Sequence, residues 1–210
     1  MSILIQNGTL FLPEGPVRAD LRVEGGRIGP GLPAGDAQVL DAAGMLVFPG
    51  FIDTHTHFEM NKGLPNETAD DWFTGSRAAL AGGTTTVLDF AEPERGASLA
   101  SALETWHRRA GGAACCNYGF HMTIKDWDKC IRAELRDMTA AGVTSYKVYM
   151  AYDNLRLSDG VIYEVLQAVA EEGGVTGCHC ENGDLVTQGI RAQKAAGNLG
   201  PAAHPLSPRR

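Results

Sequence analysis

Pro49-Gly50-Phe51-Ile52-Asp53-Thr54-His55-Thr56-His57 is the stretch on which the fold turns. In an extended strand successive side chains point to opposite faces, so His55 and His57 project the same way with Thr56 between them. Two imidazoles on one face form a chelate for a metal ion. Met45 to Phe48 and then Phe51 and Ile52 make the run apolar on both faces, as expected of a strand inside a parallel α/β sheet. That puts the pair at a strand's C-terminal end, where α/β folds keep their active sites. In a chain with six histidines a chance His-x-His is not rare, so the rest of the sequence has to decide.

Downstream of Leu46 the pattern alternates strand and helix. The first strand ends near His57. A helix is expected from Ala69 to Ala81, with Thr68 as N-cap and Gly82-Gly83 as its stop. The β-branched run Thr84 to Phe90 reads as strand two. Ser98 to Ala110 reads as a helix with Leu99, Leu103 and Trp106 inward. Ala114 to His121 is strand three, and the next helix, Asp128 to Ala141, buries Ile131, Leu135 and Met138. Strand four is Thr144 to Met150. Ser158 caps a helix reaching Glu172, with Ile162, Leu166 and Val169 inward; strand five is Val175 to His179, and a last helix runs from Gly183 to Ala196. Five consecutive β/α units with Gly-terminated helices imply a parallel sheet with right-handed crossovers. No Gly-x-Gly-x-x-Gly or phosphate-binding lysine motif occurs, which disfavours nucleotide-type doubly wound folds. The expected fold is α/β, a partial (β/α) barrel of about five of eight units over residues 49–210. A small N-terminal β-domain, part of a β-sandwich, is expected over residues 1–48. Its strands are Ile3 to Leu12, Ala19 to Val23 and Val39 to Phe48, with turns at Glu14-Gly15-Pro16, Gly25-Gly26 and Pro30-Gly31.

Composition narrows the function classes. A net charge of -7 offers no electrostatic footprint for nucleic acid or an anionic membrane, so small molecules or further copies of the chain are the expected partners. No apolar stretch approaches a bilayer's thickness, the start lacks a signal peptide's basic and apolar regions, and the cytoplasm is the expected compartment. Five cysteines without framework spacing fit a reducing compartment. Cys115 and Cys116 read as small buried residues on a strand, and Cys178 and Cys180 flank His179 on the opposite face.

Polar residues at strand C-termini are the candidates for chemistry: His55 and His57, Asp89, His121, Lys147 and His179. Lys147 stands out in Ser-Tyr-Lys-Val-Tyr-Met, where an unpaired ammonium is costly to bury. It either pairs with a carboxylate or has reacted with carbon dioxide to give a carbamate, an anionic ligand able to bridge two metal ions. Histidines with such a lysine suit zinc.

These motifs resemble the amidohydrolase superfamily, and within it the dihydropyrimidinase and hydantoinase branch. The similarity lies in the quoted stretch and in Ala-Gly-Gly-Thr-Thr-Thr-Val-Leu-Asp-Phe (81–90), Tyr-Gly-Phe-His-Met (118–122), Tyr-Lys-Val-Tyr-Met-Ala-Tyr (146–152) and His-Cys-Glu-Asn-Gly-Asp (179–184). The resemblance implies two zinc ions per subunit, one held by His55 and His57 and the second by His179, with carboxylated Lys147 bridging them. It implies that Tyr152 is catalytic and substrate-binding, donating to the oxyanion as a hydroxide opens a cyclic amide, a dihydropyrimidine or hydantoin ring. It also implies a homo-oligomer, commonly a tetramer. Asp89 and His121 match family motifs and are read as structural hydrogen-bonding residues. The family's strand-six histidine and strand-eight aspartate have no counterpart in these 210 residues, and His204 in its Pro-rich segment is not accepted as the missing ligand. The end, Leu-Ser-Pro-Arg-Arg, where relatives tend to read Leu-Ser-Arg-Pro and continue, is read as a premature end or frameshift. An open five-stranded sheet with an inactive site and a tendency to associate is expected. Dihydroorotase-like relatives carry an arginine where this chain has Glu59, which favours an uncharged ring. Allantoinase- or dihydroorotase-like activity and a non-catalytic fragment or assembly role remain the alternatives.

Overall fold

The computed structural model describes residues 2–30, 35–61 and 63–207, and the chain divides into two compact units, Met1–Phe51 and Ile52–Arg210. The first unit contains β1 (Ser2–Gln6), β2 (Thr9–Leu12), β3 (Gly15–Arg18), β4 (Leu21–Glu24), β5 (Arg27–Pro30), β6 (Gln38–Asp41) and β7 (Leu46–Val47). They form a four-stranded sheet in the order β5-β4-β1-β6 and a three-stranded sheet in the order β3-β2-β7. The strand expected from Ile3 to Leu12 is split because Asn7 takes a left-handed φ of 64°. β5 was not anticipated, and the turn expected at Glu14-Gly15-Pro16 falls one residue earlier, at Pro13-Glu14, with Gly15 and Pro16 opening β3. The Gly31 half of the expected Pro30-Gly31 turn and the final Pro208-Arg209-Arg210 lie outside the described residues.

The second unit is organised around a five-stranded sheet in the order β12-β11-β10-β9-β8, made of β8 (Phe51–Thr56), β9 (Thr84–Ala91), β10 (Asn117–Thr123), β11 (Ser145–Tyr149) and β12 (Val175–His179). β9 to β12 pair parallel throughout. Between the strands run α1 (Trp72–Ala81), α2 (Leu99–Ala110), α3 (Lys129–Ala140) and α4 (Asp159–Glu171), followed by α5 (Gly183–Ala195) and a 3-10 helix, Pro201–Leu206. This is the expected partial barrel, strands one to five being β8 to β12.

The anticipated continuous strand through Pro49 does not form. Proline has no N–H to give to a ladder, and the chain divides there into β7, which pairs with β2, and β8, which joins the larger sheet. β8 is not buried on both faces either; it is an edge strand, and Phe51 and Ile52 are exposed. The core lies between the helices and the sheet, where Trp72, Val87, Leu99, Met122, Leu135, Val148 and Val165 are fully or almost fully buried. In α4 the buried stripe is Ile162, Val165, Ala168 and Val169, which is centred near Val165 and leaves Leu166 at its edge, exposed. Cys115 and Cys116 precede β10 in a bend and are not both buried: Cys115 is exposed and Cys116 half-buried. Among the described residues no helix is long and apolar enough to cross a membrane.

The first barrel helix starts later than expected. Asp71, not Thr68, is its N-cap: the Asp71 carboxylate accepts from Thr74 N at 2.7 Å and the Thr74 hydroxyl accepts from Asp71 N at 3.1 Å. Thr68 instead accepts from Met60 N at 3.0 Å, tying down the loop after His57. Replacing Asp71 by Ala is expected to lower unfolding free energy by about 1 kcal/mol in chemical denaturation. Gly75→Ala is expected to destabilise the same helix, although alanine is the better helix former, because the new Cβ would overlap the Phe58 ring.

Candidate metal centre and its cavity

The C-terminal ends of the barrel strands surround a cavity of about 620 Å³ whose lining includes His55, His57, Lys147, Tyr152 and His179. All five predicted site residues therefore reach one space. Within it they fall into two groups with the lysine between them. His55 and His57 face each other with their Nε2 atoms 3.2 Å apart, and both rings contact Phe90, at centroid separations of 4.7 and 4.8 Å. On the other side His179 stacks on Tyr149 at 5.8 Å and lies 5.0 Å from the Tyr152 ring. The Lys147 Nζ sits 5.8 Å from the Phe90 centroid and 5.3 Å from that of Tyr149, so it spans from one group to the other. Strand alternation produces this. Lys147 and Tyr149 lie two apart on β11, and β11 pairs with β12 so that Tyr149 is opposite His179.

Burial pushes the pKa of both His55 and His57 down, helped in His55 by the nearby Lys147 and in His57 by His55. They are held as neutral imidazoles, the form that ligates a metal. Among the described residues no carboxylate lies within ion-pair distance of Lys147, which disfavours the ion-pair alternative for this side chain. The Thr123 hydroxyl, fully buried on β10 and opposite Lys147 in register, has no hydrogen-bond partner among the described residues. These observations fit a cation site with an added acceptor at the lysine. No three His, Cys, Asp or Glu side chains among the described residues form a metal cluster by themselves. The His179 Nε2 meets Glu181 at 2.5 Å, a partner the sequence reading did not anticipate. Cys178 packs toward the core and Cys180 is exposed, and neither lines the cavity.

Asp89 and His121 hold the strands that carry the cluster. The buried Asp89 carboxylate accepts from Phe58 N at 2.8 Å, Phe90 N at 2.7 Å, Trp106 Nε1 at 3.3 Å and the Thr56 hydroxyl at 3.3 Å, so both neighbours of His57 are bound to it. His121 reaches Thr54 O on β8 through Nε2 at 2.9 Å and the Ser145 hydroxyl on β11 through Nδ1 at 2.6 Å. It braces the strands of His55 and Lys147 against each other. Other cavity residues escaped the sequence reading: Met60, Asn61, Leu64, Glu92 and Lys125 among them. They lie on loops, where no periodicity marks them. The one signal available was that Glu92 and Lys125 each follow a strand's C-terminal end.

The chain matches the family described as the amidohydrolase family over residues 46–199. It is 40% identical over 212 residues to the D-hydantoinase of Geobacillus stearothermophilus, a match covering 99% of this chain and 45% of that protein. To the dihydropyrimidinase of Rattus norvegicus it is 38% identical over 214 residues, covering 97% of this chain and 41% of the relative. Among solved structures it is similar to a D-hydantoinase (TM-score 0.93, 39% identity, 100% of this chain and 46% of the other) and to the dihydropyrimidinase from Brevibacillus agri NCHU1002 (TM-score 0.93, 38% identity, 100% and 46%). The chain belongs to the amidohydrolase family. Within it, its relatives are dihydropyrimidinases and D-hydantoinases, proteins of a generally metal-dependent group, and the chain spans about half their length.

Burial lifts the pKa of Asp89 from 3.8 to about 6, against the four hydrogen bonds that favour its charged form. Its protonated form is favoured by folding, so this contribution to stability is full below about pH 3.8 and disappears as the pH rises through about 6. In melts between pH 4 and 7, Asp89→Asn is expected to flatten that decline.

Proposed function

We propose that these residues belong to a zinc-dependent hydrolase that opens the cyclic amide bond of dihydropyrimidine or hydantoin rings. His55 and His57 would hold one zinc ion and His179 the second, with carboxylated Lys147 bridging them. The observation that carries the reading is the position of Lys147 between the His55–His57 pair and His179 on one cavity wall. Bound zinc would supply Lewis acidity at the ring carbonyl and lower the pKa of water.

The protein's own groups do the positioning. Tyr152 carries a donor hydroxyl at the mouth, where it would meet the oxygen on which negative charge develops. Burial and Glu181 raise its pKa, which keeps the phenol protonated and able to donate. Its backbone is left-handed, with φ 67°, and its carbonyl accepts from Leu155 N and Arg156 N, both at 2.8 Å. The ring is thereby held by local structure rather than left to rotate with a loop. Met60, Leu64 and Leu155 supply apolar wall against which a flat ring can lie. We also propose the division into a β-sandwich part at 1–48 and a barrel part at 49–210, a cytoplasmic location, and a homo-oligomer, for which exposed Leu185, Ile190 and Leu199 offer apolar surface.

After incubation with zinc and 13C-bicarbonate, the chain is expected to show a carbamate carbon resonance that disappears in Lys147→Ala, and to retain less zinc by elemental analysis when His55 or His57 is replaced by Ala. A zinc-loaded protein with no carbamate and unaltered zinc retention in these variants would sink the assignment. Dihydrouracil hydrolysis by the 210 residues alone is expected to stay at the buffer rate, because the family's strand-six and strand-eight groups are not among them.

A further inference from the structure

The cavity wall contains an ion pair that the metal cluster does not use. Lys125 Nζ and Glu92 Oε2 are 3.1 Å apart, and their side chains are only 12% and 19% exposed, the least exposed ion pair among the described residues. Glu92 follows β9 and Lys125 follows β10, and both line the same cavity as His57 and Lys147. A pair this far from water contributes little net stability, because desolvation offsets most of its attraction. What it does provide is a cationic donor and an anionic acceptor side by side in a binding space.

The two loops that carry the pair are stitched together. Arg95 Nη1 donates to Lys125 O and to Asp126 Oδ1, both at 2.9 Å, and Gly96 N donates to Asp126 Oδ2 at 2.7 Å. The pair is therefore presented in a fixed geometry, which lowers the ordering cost of recognising a ligand. Asn61 and Asn66 extend this polar side, while Met60, Leu64 and Leu155 form the apolar side.

We propose that the Glu92–Lys125 pair is a specificity element that receives a ring substituent able both to accept and to donate hydrogen bonds, a carboxamide or ureido group. The substituent's carbonyl oxygen accepts from the Lys125 ammonium and its N–H donates to the Glu92 carboxylate. The pair is neutral in sum, so a charged substituent meets attraction and repulsion together and loses its hydration. An alkyl or aryl group covers the pair without offering it a hydrogen bond in return. This inference rests on the cyclic-amide reading of the site.

Two hydantoins of matched shape test it, one bearing a carboxamidomethyl and the other an isobutyl group at C5, titrated calorimetrically into the zinc-loaded chain. The carboxamide is expected to bind about tenfold more tightly, the scale of one desolvated hydrogen bond. In E92L/K125L, which removes both charges together, the preference is expected to reverse. Equal binding of the two rings by the unsubstituted chain, or preference for the isobutyl ring, overturns the inference alone and needs no variant to fold. An unchanged carboxamide preference in the folded double variant does the same. Binding of neither ring by the unsubstituted chain overturns this inference alone, whereas absence of both the Lys147 carbamate and the His55- and His57-dependent zinc retention overturns the cyclic-amide reading, and this inference with it.

Discussion

The barrel part depends on one buried carboxylate. Asp89 sits near the end of β9 and gathers donors from three directions: Thr56 and Phe58 on either side of His57, the adjacent Phe90 amide, and the indole of Trp106 on α2. β8 is an edge strand with exposed Phe51 and Ile52, so apolar packing does little to fix where its last residues go. A carboxylate with 2% exposure, satisfied by four donors, does that work instead. It cannot accept two of those bonds without pinning the backbone around His57. The placement of the His55–His57 pair is thus a consequence of hydrogen bonding one layer beneath it.

The same economy of means governs the opposite wall. Tyr149 is buried against the core while its ring stacks on His179, and Tyr152 is turned toward the same histidine by a left-handed residue. An aromatic residue in that conformation costs on the order of 1 kcal/mol or more. The two amides that donate to its carbonyl, and the ion pairs of Arg156 with Asp153 and Asp184 at 3.1 and 2.9 Å, stabilise the turn that holds it. The left-handed conformation of Tyr152 is thus kept in place by the surrounding loop.

Much of this was legible in the chain. β12 begins and ends where its β-branched start and the His179 end predict, and Ser98, Asp128 and Ser158 cap the helices as their residue types imply. Those features are local: a cap or a Gly stop acts within four residues. The misses were tertiary. Pro49 was visible as a residue, but not that it would send β7 and β8 to different sheets. Thr68 is as good a cap as Asp71 on local grounds, and lost because Met60 N took its hydroxyl. Leu166 matched a helical stripe that the neighbouring Val165 fills better.

By itself the sequence determined the order of β/α units, the identity of the polar residues at strand ends and the resemblance that ties them together. Period and spacing act along the chain, and they are read there. Tertiary structure decided which of those residues share a space: Lys147 between two histidine groups, His121 braced from Thr54 to Ser145, and Glu92 closed onto Lys125. Such juxtapositions arise from register between strands far apart in sequence and from loops with no periodicity. Only packing the sheet brings them within hydrogen-bonding reach.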